Sequence, residues 1–343
     1  MDLKPIEAPQ AWLASDMRAN RRWVHELSST ELEAIDTAYR HVRDRNLKIP
    51  FTAADFPLGA FAPRMRELQK EIEYGTGVML IRGLDVDRYG LEGTRLVYWG
   101  LGAHLGNALA QNPWADLLVD VRDEGGDPYK DPTARGYHTA QYLPFHNDQG
   151  DVVGLLCYRR SKSGGLSCIS SSAAIHNEIL RTRPDLARVL YGDFHADVRG
   201  EEPAGRKPWY AEPRYAMYGD KFYAQHGPTY VKSAQRFPEV PRLTDAQLEA
   251  MALIDTLVAT EPFRLDMDFL PGDIQFLNNH LVLHSRTGFE DFDEPENKRR
   301  LLRLWLVTPR YADIVPFFRP RFEDMGYWMK HPTARPVQRA HAG

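Results

Sequence analysis

The sequence contains few of the features that mark secreted, membrane-spanning or nucleic-acid-binding proteins. Among its 343 residues only Cys157 and Cys168 are cysteines, which excludes a disulfide framework and predicts a reducing compartment. No apolar run approaches the roughly 18 residues that a membrane-spanning helix requires. The first residues also lack the charged-then-apolar layout of a signal peptide. From these absences we expect a soluble, cytoplasmic protein without a membrane partner.

An excess of one charge sign is also missing. Lysine and arginine number 43 against 47 acidic residues, which gives a formal net charge of −4, and the two signs are interspersed. A basic stripe would be expected on a protein that binds nucleic acid, and a polybasic cluster on one that binds an anionic membrane surface. The sequence therefore predicts neither partner, and it leaves a homo-oligomer open.

The pattern of apolar residues changes after about the first hundred positions. Up to that point apolar residues recur at helical spacing around one short strand at 78–81. Further on, short apolar runs separated by glycine, proline and aspartate are typical of a β-sandwich or barrel. We predict a mainly β fold with helical additions in a single domain over 1–343, with a mainly helical N-terminal scaffold at 1–105, a β core with a helical insert at 106–310 and a C-terminal tail at 311–343 that wraps the surface.

The segment 142–150, YLPFHNDQG, carries a histidine and a carboxylate two positions apart. Side chains alternate faces on an extended backbone, so His146 and Asp148 are expected to point the same way and Asn147 the other. Two histidines and one carboxylate on one face of a metal form the triad of non-haem Fe(II) oxygenases, which leaves coordination positions open. His146 and Asp148 are thus predicted to be two of three metal ligands.

The third ligand must come from elsewhere, and His284 is the preferred candidate because it follows a predicted strand at 274–277. His138 is a weaker alternative, since the proline and aromatic residues between it and His146 favour ordinary loop packing. His280 and His284 have the i, i+4 spacing of a helical zinc pair, but the general-base glutamate of His-Glu-x-x-His is absent. His280 is therefore predicted to be a structural hydrogen-bonding residue.

Arginine is concentrated in a near-continuous apolar run at 299–307. Strand alternation places Arg299 and Arg303 on one face and Arg300 on the other. A buried guanidinium needs a partner, and its planar fork matches a carboxylate. Structural salt bridges would explain this strand taken alone, but beside a metal motif the stronger interpretation is anion binding.

A glycine pair precedes another candidate for anion binding. Gly164 and Gly165 allow a tight connection between strands. Ser167 then begins a strand with its hydroxyl available to a bound carboxylate. By itself this segment indicates only a hairpin turn.

In this order the motifs resemble the taurine/2,4-D dioxygenase (TauD/TfdA) branch of the Fe(II)/2-oxoglutarate-dependent oxygenases, in the style of its clavaminate synthase-like members. The similarity covers roughly residues 75–310. It implies a double-stranded β-helix, also called a jelly roll, of the cupin-like kind. It also implies an oxidoreductase that uses Fe(II), 2-oxoglutarate and O2 to hydroxylate, or otherwise oxidise at C–H, a small carboxylate-bearing metabolite with release of succinate and CO2.

The resemblance also implies roles for individual residues. Fe(II) would be bound by His146, Asp148 and His284. The far carboxylate of 2-oxoglutarate would be bound by Arg299 with Ser167, which stands where threonine is usual and keeps the hydroxyl.

The remaining implied roles concern the substrate. Arg303 matches an arginine that receives the substrate's anionic group in several relatives. The spacing from His284 to Arg299 is longer than in the taurine enzyme, which leaves open which arginine holds 2-oxoglutarate. A carboxylate at Asp148 favours hydroxylation or a related oxidation over halogenation. Further pocket residues expected from position in the family are Gln111, Trp209, Tyr210 and Gln225.

Two other functions compete with this interpretation. A metallohydrolase or a 2-oxoglutarate-independent cupin-type oxygenase could use the same three ligands, and it would need no role for Arg299. A metal-stabilised binding module would use the ligands structurally. Structural zinc sites, however, are usually closed by four ligands that often include cysteine, and Cys157 and Cys168 lack Cys-x-x-Cys spacing. The oxygenase is the preferred prediction.

Overall fold

Several helices begin where a side chain can cap the first turn. Ser28 accepts a hydrogen bond from the backbone N–H of Glu31, whose carboxylate accepts one from the backbone N–H of Ser28. Thr244 and Gln247 repeat this capping box.

The computed structural model describes residues 3–7, 9–125, 136–313 and 316–333. In these ranges the α-helices are α1 (Ala14–Ala19), α2 (Ser29–Asp44), α3 (Ala62–Tyr74), α4 (Val86–Ala103), α5 (Ser172–Thr182), α6 (Pro184–Leu190), α7 (Pro228–Ala234), α8 (Asp245–Val258) and α9 (Arg319–Lys330).

Several strands, among them Val152–Arg159, Ile274–Asn278 and Arg300–Val307, coincide with short apolar runs of the sequence. None of the helices between them, within the described ranges, is both long and apolar enough to cross a lipid bilayer. The strands are β1 (Val24–Glu26), β2 (Val78–Arg82), β3 (Asn107–Ala108), β4 (Leu118–Val121), β5 (Leu143–His146), β6 (Val152–Arg159), β7 (Ser163–Gly164), β8 (Ser167–Ser171), β9 (Asp193–Asp197), β10 (Trp209–Pro213), β11 (Tyr215–Tyr218), β12 (Lys221–Ala224), β13 (Leu265–Met267), β14 (Ile274–Asn278), β15 (Val282–Arg286), β16 (Phe289–Glu290) and β17 (Arg300–Val307).

Two sheets dominate the described part of the chain. The larger sheet has seven strands in the order β1-β2-β14-β6-β17-β3, with β4 also paired to β17. The smaller sheet has four strands in the order β13-β8-β15-β5. Every neighbouring pair in these two sheets is antiparallel except β1 and β2, which are parallel. The fold therefore combines mixed sheets with helices.

Strand β17 shows how the layers are built. Its odd-numbered apolar residues, Leu301 and Trp305, belong to a buried cluster that also contains Ile169 and Leu283 of the smaller sheet. Leu302, Leu304 and Leu306 instead belong to a second cluster, shared with apolar residues of α2, α3 and α4. The larger sheet is thus covered by the smaller sheet on one face and by N-terminal helices on the other, in agreement with the alternation predicted for this strand.

The C-terminal segment differs from the prediction. The segment 311–343 was expected to wrap the surface as a tail, but it contains α9, in which Asp324, Met325 and Trp328 are buried. Proline stands in the first turn of this helix, where a missing N–H costs nothing. Residues 334–343 of the predicted tail lie outside the described residues.

Candidate metal centre and adjoining cavities

Three side chains that could hold a metal meet at one edge of the smaller sheet. His146 ends β5 and lies directly opposite His284 of β15 in the antiparallel pair, with their ring centroids 4.3 Å apart. Asp148 follows two residues after His146. The ligand atoms of the three residues all lie within 4.8 Å of one another. Strand pairing thus brings together residues that are far apart in sequence.

Two asparagines hold the segment that carries Asp148. The backbone N–H of Asp148 donates to Asn279 Oδ1 over 3.0 Å, and Asn279 Nδ2 donates to the carbonyl of Asp148. Asn147 points to the other side, where its amide donates to the carbonyls of Asn279 and Val282. This alternation of Asn147 and Asp148 is the one expected of an extended backbone.

The geometry of the three residues fits a single divalent ion. His146 Nδ1 lies 2.8 Å from the carbonyl of Pro144, so this nitrogen carries the proton and Nε2 keeps its lone pair. Nε2 of His146 and Nε2 of His284 each lie 3.7 Å from a different oxygen of Asp148. These separations are too long for hydrogen bonds and leave room for an ion among the three groups. Two imidazoles and one carboxylate are the donor set of an Fe(II) facial triad.

Electrostatics favours the metal-binding protonation states of Asp148 and His284. Burial alone would raise the pKa of Asp148, but the charge of Arg303 and the proximity of His146 and His284 hold it well below its usual range. Burial lowers the pKa of His284, and the nearby His146 lowers it further. A carboxylate and a neutral imidazole are the forms that bind metal.

The carboxylate of Asp148 is held by two further groups from β17. Trp305 Nε1 donates to Oδ2 over 2.9 Å, and Arg303 Nη1 lies 3.2 and 3.4 Å from the two oxygens. Gln111 fixes Arg303 in turn, because its Oε1 accepts from Arg303 Nε over 2.8 Å while its amide donates to the carbonyls of Arg303 and Leu117. Gln111, predicted as a pocket residue, therefore has both ends of its amide engaged within the protein.

Replacing Trp305 with phenylalanine tests this support. The change removes one hydrogen bond to Asp148, and we expect Fe(II) affinity to fall about tenfold or more, the usual effect of losing a group that orients a ligand. Equilibrium titration against a metal-binding dye measures the affinity. Trp99→Phe is the matched control, because Trp99 donates to the carbonyl of Phe51. Equal affinities for the two variants would contradict the prediction.

A smaller cavity adjoins the three ligands between the two sheets. Its volume, counted as the space that the centre of a water molecule can occupy, is about 40 Å³. The larger sheet and the segments beside it contribute apolar residues and Arg299, while the smaller sheet contributes polar residues of β8 and β15. The lining residues are Val121, Leu143, His146, Asp148, Leu155, Ser167, Phe269, His284, Ser285, Arg286, Arg299, Leu301 and Arg303.

Two guanidinium groups on this wall have no carboxylate partner among the described residues. Arg299 is 4% exposed, and its Nη1 is buried without a hydrogen bond; burial lowers its pKa to about 10. Arg286 donates through Nη2 to the carbonyls of Thr139 and Gln141, but its Nε and Nη1 are unpaired. Burial, followed by the like charge of Arg299, lowers the pKa of Arg286 to about 9. Asp291 and Asp123 act on Arg299 and Arg286 only from beyond ion-pair distance. Two buried cations without a paired carboxylate in the described chain favour an anionic ligand in the cavity.

Arg286 was not predicted from the sequence as a site residue, although its spacing from His284 indicates that role. It stands two positions after His284 in β15, so strand alternation turns both side chains to the same face. The predicted Ser167 also lies on this wall, where its hydroxyl is 3.3 Å from Gln275 Oε1.

The glycine pair before Ser167 leaves space for Arg299. Gly165 has φ +72°, and a Cβ at this position would lie 3.1 Å from Arg299 Nε and 2.8 Å from Ser161 Oγ. We expect Gly165→Ala to lower the free energy of unfolding by about 1–2 kcal/mol from backbone strain alone and to weaken binding of anions in the smaller cavity. Thermal denaturation and titration with 2-oxoglutarate measure the two effects.

Gly219→Ala is the matched control for this prediction. Gly219 has φ +62°, and a Cβ added there would have nothing within 4 Å, so it reports backbone strain without a clash. If the two variants behave alike in both measurements, the space beside Arg299 is unimportant.

A larger cavity opens beside two of the three ligands, His146 and Asp148. Its volume, counted in the same way, is about 210 Å³. Gln111, Gln225 and Arg303 lie on its wall, as does Trp305. Other lining residues come from the insert between β8 and β13 and from α9, namely Ala196, Arg199, Glu201, Arg214, Gly227, Pro228, Thr229, Tyr230, Arg321 and Met325.

Two predicted pocket residues lie elsewhere. The ring of Trp209 packs against Phe237 with centroids 5.1 Å apart, and the hydroxyl of Tyr210 donates to Asp324. Neither is among the described residues that line the two cavities. Both belong to β10, which pairs only with β9 in the described chain, so the alternation of the main sheets does not determine where their side chains point.

Two histidines, a carboxylate and an adjoining cationic cavity are the features expected of one class of enzyme, the 2-oxoglutarate-dependent non-haem iron dioxygenases. Comparison with known proteins identifies the family. The profile of the taurine catabolism dioxygenase TauD, TfdA family matches residues 43–305, and the chain belongs to this family. Membership confirms the prediction of an Fe(II)/2-oxoglutarate-dependent oxygenase made from the sequence.

Relatives and solved structures agree with this membership. FR-33289 synthase of Streptomyces rubellomurinus is 26% identical over 314 residues, covering 88% of this chain and 90% of the relative. The taurine hydroxylase-like protein SAT17 of Stachybotrys chartarum is 28% identical over 348 residues, covering 94% of this chain and 87% of the relative.

Solved structures show the same fold at low identity. Asparagine oxygenase in complex with Fe(II), 2S,3S-3-hydroxyasparagine and succinate superposes with a TM-score of 0.65 at 16% identity, covering 86% of this chain and 97% of that one. The non-haem iron oxygenase OrfP with Fe and α-ketoglutaric acid gives a TM-score of 0.62 at 16% identity, covering 85% and 96%.

Proposed function

We propose that His146, Asp148 and His284 bind Fe(II) and that the smaller cavity binds 2-oxoglutarate. The observation that carries this proposal is the pair of buried guanidinium groups, Arg286 and Arg299, that share a cavity with the three ligands and have no carboxylate partner in the described chain. A dicarboxylate supplies the missing negative charge. Bound Fe(II) would supply the activation of O2 for oxidative decarboxylation of 2-oxoglutarate to succinate and CO2, coupled to oxidation of a substrate C–H bond.

Arg303 of β17 and Arg299, which directly precedes this strand, have separate roles in this proposal. Arg303 lines both cavities and is engaged with Asp148 and Gln111, so we assign it to orienting Asp148 and to facing the bound substrate. Arg299 lines only the smaller cavity. We therefore assign to Arg299, with Ser167, the far carboxylate of 2-oxoglutarate, which a guanidinium fork matches.

The remaining wall of the smaller cavity excludes water. Val121, Leu155, Phe269 and Leu301 are apolar residues on it. Charge interactions strengthen when water is removed from their surroundings. The apolar wall thus strengthens the hold of Arg299 on a carboxylate and protects the site from side reactions.

The fold is proposed to be a double-stranded β-helix in a single domain spanning 1–343. The facing arrangement of the two sheets and the superposition on asparagine oxygenase, a TM-score of 0.65, support it. The two cysteines are free and buried, which fits the proposed cytoplasmic location.

The substrate is proposed to be a small amino-acid-like or other carboxylate-bearing metabolite, oxidised in the larger cavity by hydroxylation or a related C–H oxidation. The solved relatives were bound to 3-hydroxyasparagine in one case and to L-arginine in another. A cavity of about 210 Å³ with several arginines on its wall suits a molecule of this size and charge.

Anaerobic titration of the metal-free protein with Fe(II) and then 2-oxoglutarate tests the proposed function. We expect a metal-to-ligand charge-transfer band in the visible region when both are bound, because the 2-oxo acid chelates the iron. Glutarate, which lacks the 2-oxo group, is the control and should produce no band. Absence of the band at saturating 2-oxoglutarate would overturn the proposal and favour a metallohydrolase or a 2-oxoglutarate-independent cupin-type oxygenase.

A further inference from the structure

A second group of charged side chains lies at the wall of the larger cavity, apart from the three metal ligands. Glu212 of β10 is 0% exposed and accepts hydrogen bonds from two arginines. Arg214, in the turn after β10, donates through Nη2 to Oε1 over 2.8 Å. Arg321 of α9 donates through Nε and Nη2 to both oxygens, over 2.6 and 2.5 Å.

Glu212, Arg214 and Arg321 form a charged triad, and their charges do not cancel. Two guanidinium groups share one carboxylate, and no other carboxylate in the described chain forms an ion pair with either of them. Arg214 is 1% exposed, and its Nε is buried without a hydrogen-bond partner. The triad therefore carries one uncompensated positive charge in a buried place, which is unfavourable unless an anion is bound.

The excess charge faces the larger cavity. Arg214 and Arg321 are both on its wall, whereas Glu212 is not among the described lining residues. The guanidinium of Arg321 lies over the ring of Tyr210, 4.8 Å from the centroid, and that of Arg214 lies 5.4 Å from the centroid of Phe194. Carboxylate and rings thus fix both guanidinium groups from within the protein, which pre-organises them for a ligand.

A purely structural role would leave these observations unexplained. The triad does connect α9 to β10, and a neutral pair of one arginine with Glu212 would be enough for that. A second arginine that shares the same carboxylate adds desolvation cost without adding a second negative charge in the described chain. Binding of an anion from the cavity would account for the second arginine.

We propose that Arg214 and Arg321 form an anion subsite that binds a singly charged acidic group of the substrate, such as a carboxylate, sulfonate or phosphonate monoanion. The identification of this anion as part of the substrate rests on the proposed function of the adjoining metal centre. The oxidised C–H bond then belongs to the portion of the same molecule that reaches His146 and Asp148. The enzyme acts on small organic acids and discriminates against their neutral amides and esters.

Anion binding by the full-length, metal-free protein tests the subsite without requiring the substrate. Acetate and methylphosphonate serve as probes, acetamide serves as the neutral control, and isothermal titration calorimetry measures the binding. We expect both anions to bind and acetamide not to bind. All titrations are repeated with Arg299→Gln, which removes one of the two unpaired charges of the smaller cavity and weakens anion binding there.

Two substitutions of the same triad have opposite expected effects on this binding. Arg321→Gln brings the net charge to zero, and we expect affinity for the anions to fall about tenfold or more, as for loss of a charge-assisted hydrogen bond. Glu212→Gln raises the net charge to two, and we expect affinity to rise. Arg236→Gln, which removes the exposed arginine of an ion pair with the buried Asp197 outside the triad, is the control and should leave anion affinity unchanged.

Several outcomes would overturn the subsite. These are equal losses in Glu212→Gln and Arg321→Gln, binding that disappears entirely with Arg299→Gln, or no preference of the wild-type protein for anions over acetamide. Circular dichroism checks that each variant is folded. If a triad variant is unfolded, Arg214→Lys and Arg321→Lys keep the charge and replace the fork, and unchanged affinity in both would also reject the subsite.

The subsite and the proposed function can fail separately. Anion binding that depends on Arg321, together with absence of the iron and 2-oxoglutarate absorption band, would reject the proposed function alone. The absorption band with no Arg321-dependent anion binding would reject the subsite alone.

Discussion

His146→Ala is expected to abolish turnover and to lower Fe(II) affinity by more than about 100-fold, because losing a direct ligand should exceed the effect of losing a group that only orients one. Replacing this side chain should affect little besides metal binding. Its ring is partly exposed and forms a hydrogen bond with the carbonyl of Pro144, two residues away. The variant should therefore fold normally. Metal content after dialysis, Fe(II) titration and succinate release measure the effect.

The control for this substitution is His41→Ala, whose imidazole lies on the exposed face of α2 beside Arg45. It should retain the wild-type iron content and activity. If His146→Ala retained stoichiometric iron at micromolar Fe(II), the assignment of the three ligands would have to be abandoned. Iron loss with unchanged turnover would instead show that the reaction does not depend on iron.

Arg299→Ala is expected to raise the KM for 2-oxoglutarate about 100-fold or more while leaving Fe(II) affinity unchanged. Removing one partner of a buried charge pair costs about 2–5 kcal/mol. Arg299 is 4% exposed and its Nη1 has no hydrogen-bond partner, so little else depends on its charge. Steady-state succinate release at varied 2-oxoglutarate, and the anaerobic absorption titration, measure the effect.

Neighbouring positions provide the controls for Arg299. Arg300→Ala removes the next arginine, whose side chain points to the opposite face by strand alternation, and its KM should stay near the wild-type value. Arg299→Lys keeps the charge but not the fork and should fall between wild type and alanine. An unchanged KM in Arg299→Ala would contradict the assignment and transfer the role to Arg286 or Arg303, which share the cavity.

Local patterns in the sequence predicted the parts of the molecule that depend on a single segment. Alternation along β17 separated Arg303 from Leu302 and Leu304, and the packing of the two apolar clusters follows it. The capping boxes at Ser28 and Thr244 mark the observed starts of α2 and α8. In each case the evidence lies within a few residues, where backbone geometry alone decides the outcome.

Features that depend on pairing between distant segments were harder to predict. The register that places His284 opposite His146 is a property of the β5–β15 pair, and no local pattern encodes it. Glu212 and Arg321 meet only because α9 packs against the insert, whereas the sequence predicted a surface tail in place of α9. Trp209 and Tyr210 were placed in a pocket by analogy, whereas β10 lies outside both main sheets.

The position of α9 in the chain has a consequence for synthesis. All three candidate ligands and both sheets precede it, yet α9 supplies Arg321 and Met325 to the wall of the larger cavity. A nascent chain emerging from the ribosome would thus have every metal ligand available before the cavity is closed. Premature termination ahead of residue 319 would yield a protein equipped to take up metal but open where the substrate should be enclosed.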